Sequence, residues 1–83
     1  MTSENVLRDL TEIFRDVLDD DKIILTPQMT AEDVTGWDSA NHINIVVSAE
    51  MRFKIKVSNA EIERLENVGD FVELIQRKMS AQK

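Results

Sequence analysis

The chain has 83 residues, of which 42% are hydrophobic and 31% charged, with a formal net charge of −6, one histidine and no cysteine. Such a composition fits a small soluble globular chain and excludes disulfides, thiolate metal sites and any multi-histidine metal centre. The negative charge argues against a nucleic-acid partner, and no apolar stretch is long enough to insert into a bilayer.

The length predicts a single domain over 1–83. Met1-Thr2-Ser3-Glu4 lacks the basic and apolar regions of a signal peptide, so the expected location is cytoplasmic. The charge is uneven, with a net −5 over residues 1–21 and a net −1 over residues 22–83.

Val6, Leu7, Leu10, Ile13, Phe14, Val17 and Leu18 recur at spacings of three and four, which predicts an amphipathic first helix ending near Leu18. Ser3 is its expected N-cap, with Thr2 as the competing choice. The acidic run Asp19-Asp20-Asp21 follows, and it has neither the alternating ligands nor the glycine turn of a calcium loop. From Lys22 to Asp38 there is no sustained period. Thr26-Pro27 forces an extended or turn geometry, Thr30 to Val34 can make one short helical turn, and Gly36 closes the segment. Its apolar residues, Ile23, Ile24, Leu25, Met29, Val34 and Trp37, predict a long loop lying across the core.

A second helix is expected from about Ser39 to Arg52, capped by Asp38, with Ile43, Val46 and Val47 sharing one face that Ile45 and Ala49 widen. Phe53 to Val57 alternates, but one strand without a partner is not stable, so an extended linker is expected. Ser58-Asn59-Ala60-Glu61 is a capping box opening a short helix to about Leu65. Val68, Phe71, Val72 and Ile75 mark a last helix ending near Lys78, with fraying from Met79. The expected fold class is all-α: a small four-helix bundle of three main helices and one short helix, with a long loop between helices 1 and 2.

Asp38-Ser39 followed one turn later by His42 suggests nucleophilic catalysis, yet no third group, oxyanion hole or cleft accompanies it. No catalytic residue and no metal ligand is therefore assigned. His42 reads as a surface or partner contact, and Trp37 as a ring packed on the bundle that fixes the loop ahead of the second helix. For Ser39 the residues alone leave two readings of equal weight. It is either an ordinary helix-start serine or a hydroxyl presented at the positive end of a helix, where a phosphate-bearing group is favoured.

Gly36-Trp37-Asp38-Ser39-Ala40 resembles the phosphopantetheine attachment motif of acyl carrier proteins, in which an Asp-Ser-Leu triplet opens the second helix. The similarity extends through Asp33-Val34-Thr35, Glu50 to Val57 and Asn67-Val68-Gly69-Asp70-Phe71. The resemblance implies a carrier rather than an enzyme, with 4′-phosphopantetheine from coenzyme A attached to Ser39 by a phosphopantetheinyl transferase that holds its own magnesium. It implies Asp38, Ala40, Asn44, Val47, Glu50, Met51 and Ile62 as partner-binding residues. The implied partners are an acyl- or aminoacyl-loading ligase and downstream acyltransferase or synthase enzymes, served by a monomer. Two departures stand out. Ala40 replaces the usual leucine, and Asn41 and Asn44 stand where carboxylates are common, so residues 40–53 hold only Glu50 and Arg52 as charges. They point to a specialised carrier with dedicated enzymes for secondary-metabolite, lipid or cell-envelope biosynthesis. The alternatives are an aminoacyl or peptidyl carrier, including one for D-alanine, and an unmodified carrier-like interaction module. Some fatty-acid carriers shelter the chain between helices 2 and 3. Here bulky Ile62 and Phe71, with Leu65 and Val68 beside Val46, imply a short or polar acyl group kept outside.

Overall fold

The structure is a computed structural model that describes residues 3–81, with the side chain of Ala81 excepted. Four helices follow in order: α1 (Ser3–Leu18), α2 (Ser39–Phe53), α3 (Asn59–Glu63) and α4 (Val68–Ala81). No β-strand is present among the described residues. An isolated antiparallel bridge joins Thr30 to Asn67.

α1 is helical from Ser3, so the choice between Ser3 and Thr2 as its cap turns on a residue outside those described. Its C-terminus is set by Asp19 in the left-handed region (φ 52°), a conformation short acids tolerate. The Asp20 carboxylate then accepts from the Lys22 N–H at 3.0 Å, and Arg15 Nε donates to the Ile23 carbonyl at 2.8 Å. The acidic run is thus a helix stop and a turn.

The long loop is tied to the start of α4. Val68 N–H donates to the Met29 carbonyl and Gly69 N–H to the Pro27 carbonyl, both at 2.9 Å. A Cβ on Gly69 would lie 3.1 Å from that Pro27 oxygen, so the close approach depends on glycine. Residues 31–33 form turns instead of a full helical segment. There the Asp33 N–H donates to the Thr30 carbonyl, while the Asp33 carboxylate accepts from the Thr30 N–H. Leu25, Val34 and Trp37 are buried, which puts the loop across the core as expected, but Ile24 is 69% exposed and takes no part in that packing.

α1 and α4 supply Val6, Leu10, Ile13, Phe14, Val68, Phe71 and Ile75 to the core. α2 supplies Ile45, Val46, Ala49 and Phe53. Ile43 and Val47, expected to share a face with Val46, are about half exposed (48% and 47%) and lie outward, whereas Val46 is buried. The helix also runs one residue further than expected, to Phe53, and stops at Lys54 in the left-handed region (φ 58°).

α3 has the expected capping box but ends at Glu63. Glu61 accepts from Lys78 Nζ at 2.8 Å and from the Ser58 N–H at 2.9 Å. The Lys78 hydrogen bond first, and the Ser58 N–H second, hold the Glu61 carboxyl at about 2, well below its ordinary 4.5. α4 continues through Met79, which packs partly buried against the core, so the expected fraying from that residue is not observed within the described range.

Candidate functional site

The site is built at the junction of the loop and α2. Gly36 takes φ +90°, which other residues rarely adopt, and this turns the chain into the helix. Its carbonyl accepts from the Asp38 N–H at 3.0 Å and from Asn41 Nδ2 at 2.8 Å. Asp38 is the N-cap: its Oδ1 accepts from the Asn41 N–H at 2.9 Å, and its carbonyl accepts from the His42 N–H at 2.7 Å. The N–H groups of Ser39 and Ala40 have no acceptor among the described residues, so the open end of the helix still carries positive partial charge.

Trp37 anchors this junction. The indole is 6% exposed and meets Phe14 edge-on, with ring centroids 4.9 Å apart. Its Nε1–H donates to His42 Nδ1 at 2.9 Å, and the imidazole edge lies against Phe71 at 6.2 Å. His42 is therefore half-buried and joined to the loop, so it is less of a surface residue than expected. Trp37 and His42 stand five residues apart across a turn. That bond depends on the turn's geometry and leaves no periodic trace.

Ser39 is exposed, and no hydrogen bond joins it to His42 among the described residues. With Nδ1 occupied by Trp37 and no third group, the Ser39–His42 pair is not assembled as a base and nucleophile. Instead Ser39 opens onto a surface groove of about 340 Å³ bordered by Trp37, Asp38, His42, Leu65 and Glu66. Its donor set fits a phosphodiester-linked arm. The hydroxyl is accessible, two helix N–H groups are unsatisfied, and Leu65 offers an apolar wall for the stem.

The outer face of α2 runs back from Ser39. Ala40, Ile43, Asn44, Val47 and Met51 are all exposed, Met51 by 76%. The two charged residues of the helix are committed elsewhere. Glu50 Oε2 accepts from the Val57 N–H at 2.9 Å, so this residue, expected on the exposed surface, instead braces the linker to α3. Arg52 reaches α1, with Nη2 2.6 Å from Glu12 Oε2 and 3.3 Å from Asp9 Oδ1. Ile62 is half-buried and packs against the core.

The family described as "Phosphopantetheine attachment site" matches residues 8–75. An acyl carrier protein of Exiguobacterium sp. AT1b is 32% identical over 79 residues, covering 95% of this chain and 100% of that protein. The solution structure of a holo acyl carrier protein from Geobacter metallireducens is 44% identical. It covers 93% of this chain and 88% of its own, with a TM-score of 0.86. The crystal structure of an acyl carrier protein from Thermotoga maritima, at 20% identity and a TM-score of 0.87, shares the fold.

Proposed function

This chain belongs to the acyl carrier protein family, a family of carriers and not enzymes with covalently attached 4′-phosphopantetheine, and we propose that Ser39 bears the arm in a specialised carrier. The observation that carries this reading is the exposed Ser39 hydroxyl at an N-terminus with two unsatisfied amides, beside a groove fitted to the arm. When bound, the arm supplies a terminal thiol that holds an acyl group as a thioester. The chain's own residues hold and present it. Asp38 caps the helix, and Trp37 and Gly36 fix where the hydroxyl points. Leu65, which borders the groove, would shield the stem.

Specialisation rests on the outer face of α2. A carrier steered by charge would offer carboxylates there, whereas this face is uncharged, with apolar Ala40, Ile43, Val47 and Met51 around the single polar Asn44. Dedicated loading and synthase enzymes would dock on Ala40, Asn44, Val47 and Met51 by shape and apolar burial. Val46, Val68 and Phe71 are packed with at most 1% exposure, which supports a short or polar acyl group remaining outside the bundle. A single domain working as a cytoplasmic monomer completes the reading.

The test is intact mass after incubation with coenzyme A, magnesium and a broad-specificity phosphopantetheinyl transferase. One added phosphopantetheine is expected, and none on folded Ser39→Ala. A folded wild-type protein that gains no mass with any transferase would overturn the reading.

A further inference from the structure

We propose that His42 is a positioning residue for the prosthetic arm, its Nε2–H donating to a phosphodiester oxygen on Ser39; this rests on the reading that Ser39 bears the arm. The first step is the tautomer. Neutral imidazole has one donor nitrogen and one acceptor, and an indole N–H can only donate. Because Trp37 Nε1–H donates to His42 Nδ1 at 2.9 Å, Nδ1 is the acceptor and the proton resides on Nε2. Trp37 thus fixes both the plane of the ring and its remaining donor.

The second step is placement. Ser39 and His42 are three apart on α2 and border the same groove. Side chains at that spacing are neighbours, with Cβ atoms roughly 5–6 Å apart. Helical side chains lean towards the N-terminus, and the bond to Trp37 shows that this ring does so. The phosphorus of the arm lies one bond beyond Ser39 Oγ, so its oxygens come within reach of the ring edge.

The third step is elimination. Esterification removes the Ser39 hydroxyl proton, and the Trp37 N–H is already given to His42. The charged side chains bordering the groove are Asp38 and Glu66, both carboxylates that repel a phosphodiester. Phe71, packed on the ring from α4, adds no charge. Among the residues bordering the groove, His42 is left as the side-chain N–H able to answer the phosphate. The helix amides of Ser39 and Ala40 complete the cradle. The arm is then held at its root, which narrows the directions in which its thiol is presented.

The experiment compares apo and holo protein at one pH by nitrogen-15 NMR of the His42 ring and by phosphorus NMR, with holo formation first verified by intact mass. Attachment of the arm should shift the His42 Nε2–H resonance and slow its exchange with water. His42→Phe should move the phosphorus resonance away from its wild-type position, and His42→Gln, which can still donate an N–H, should lie closer to wild type than His42→Phe. Trp37→Phe removes the bond that sets the ring and should move the phosphorus resonance in the same sense as His42→Phe. Circular dichroism confirms that each variant is folded. A His42 Nε2–H signal unchanged between apo and holo protein, or a phosphorus resonance in His42→Phe identical to wild type, would overturn the proposal. Failure to gain mass would instead sink the attachment reading beneath it.

Discussion

Asn41 shows why one departure from the usual acidic pattern belongs to this site. Its side-chain amide donates to the Gly36 carbonyl at 2.8 Å, while its backbone N–H is taken by Asp38. A carboxylate at this position has no proton to give and would face the carbonyl oxygen. Asn41→Asp is therefore expected to lower stability by about 1–2 kcal/mol in urea unfolding. It should also slow phosphopantetheine transfer, because the turn that aims Ser39 is loosened. Unchanged stability and transfer would show that the side-chain bond does not hold the turn. Glu50 and His42 are further residues whose roles come from partners the primary structure does not place beside them. Val57 lies seven positions after Glu50, and the left-handed turn at Lys54 brings its N–H back to the carboxylate.

At the scale of elements, α3 is held by its box and by Lys78 of α4. Glu61 is depressed in the folded state to about 2 from 4.5, so its contribution is complete above pH 4.5 and disappears as pH falls from 4.5 towards 2. Amide exchange in α3 should accelerate over that window. Lys78→Gln should move the Glu61 carboxyl, followed by NMR, back towards 4.5; a midpoint unaltered by the substitution would dissociate α3 from Lys78. For α2 the prediction concerns its outer face. Val47→Asp, at a half-exposed position, should change stability by less than about 0.5 kcal/mol. It should raise the KM of the transferase about tenfold with kcat nearly unchanged, as expected for an apolar docking contact. An unaltered KM would place docking elsewhere. Elements differ in how readily they are read from residues. α1 has a clean three-four stripe, so its extent and its buried side were both legible. In α2 the apolar residues Ile43, Ile45, Val46 and Val47 sit too close together to set a phase. Ala49 and Phe53, together with the His42 bond, turn Ile45 and Val46 inward and leave Ile43 and Val47 outside.

For the molecule as a whole, the Cα radius of gyration of 11.6 Å matches the roughly 12 Å of a compact chain of this length. Its charge is partitioned with a purpose visible in the fold. Acids crowd the N-terminal quarter, where Asp9 and Glu12 take Arg52, and the outer face of the helix after Ser39 is left without formal charge. The motif that names the family was legible because it is local: a turn glycine, a cap and a serine in sequence. The groove was not, since it joins Trp37 and His42 to Leu65 and Glu66 from beyond α3. Everything proposed for this molecule turns on where the arm is attached. Trypsin cleaving after Lys22 and Arg52 releases one peptide containing Ser39 together with Ser48 and three threonines. Fragmentation of that peptide from the holo protein should place the whole phosphopantetheine mass on Ser39; finding it on Ser48, on a threonine or outside the peptide would contradict the account.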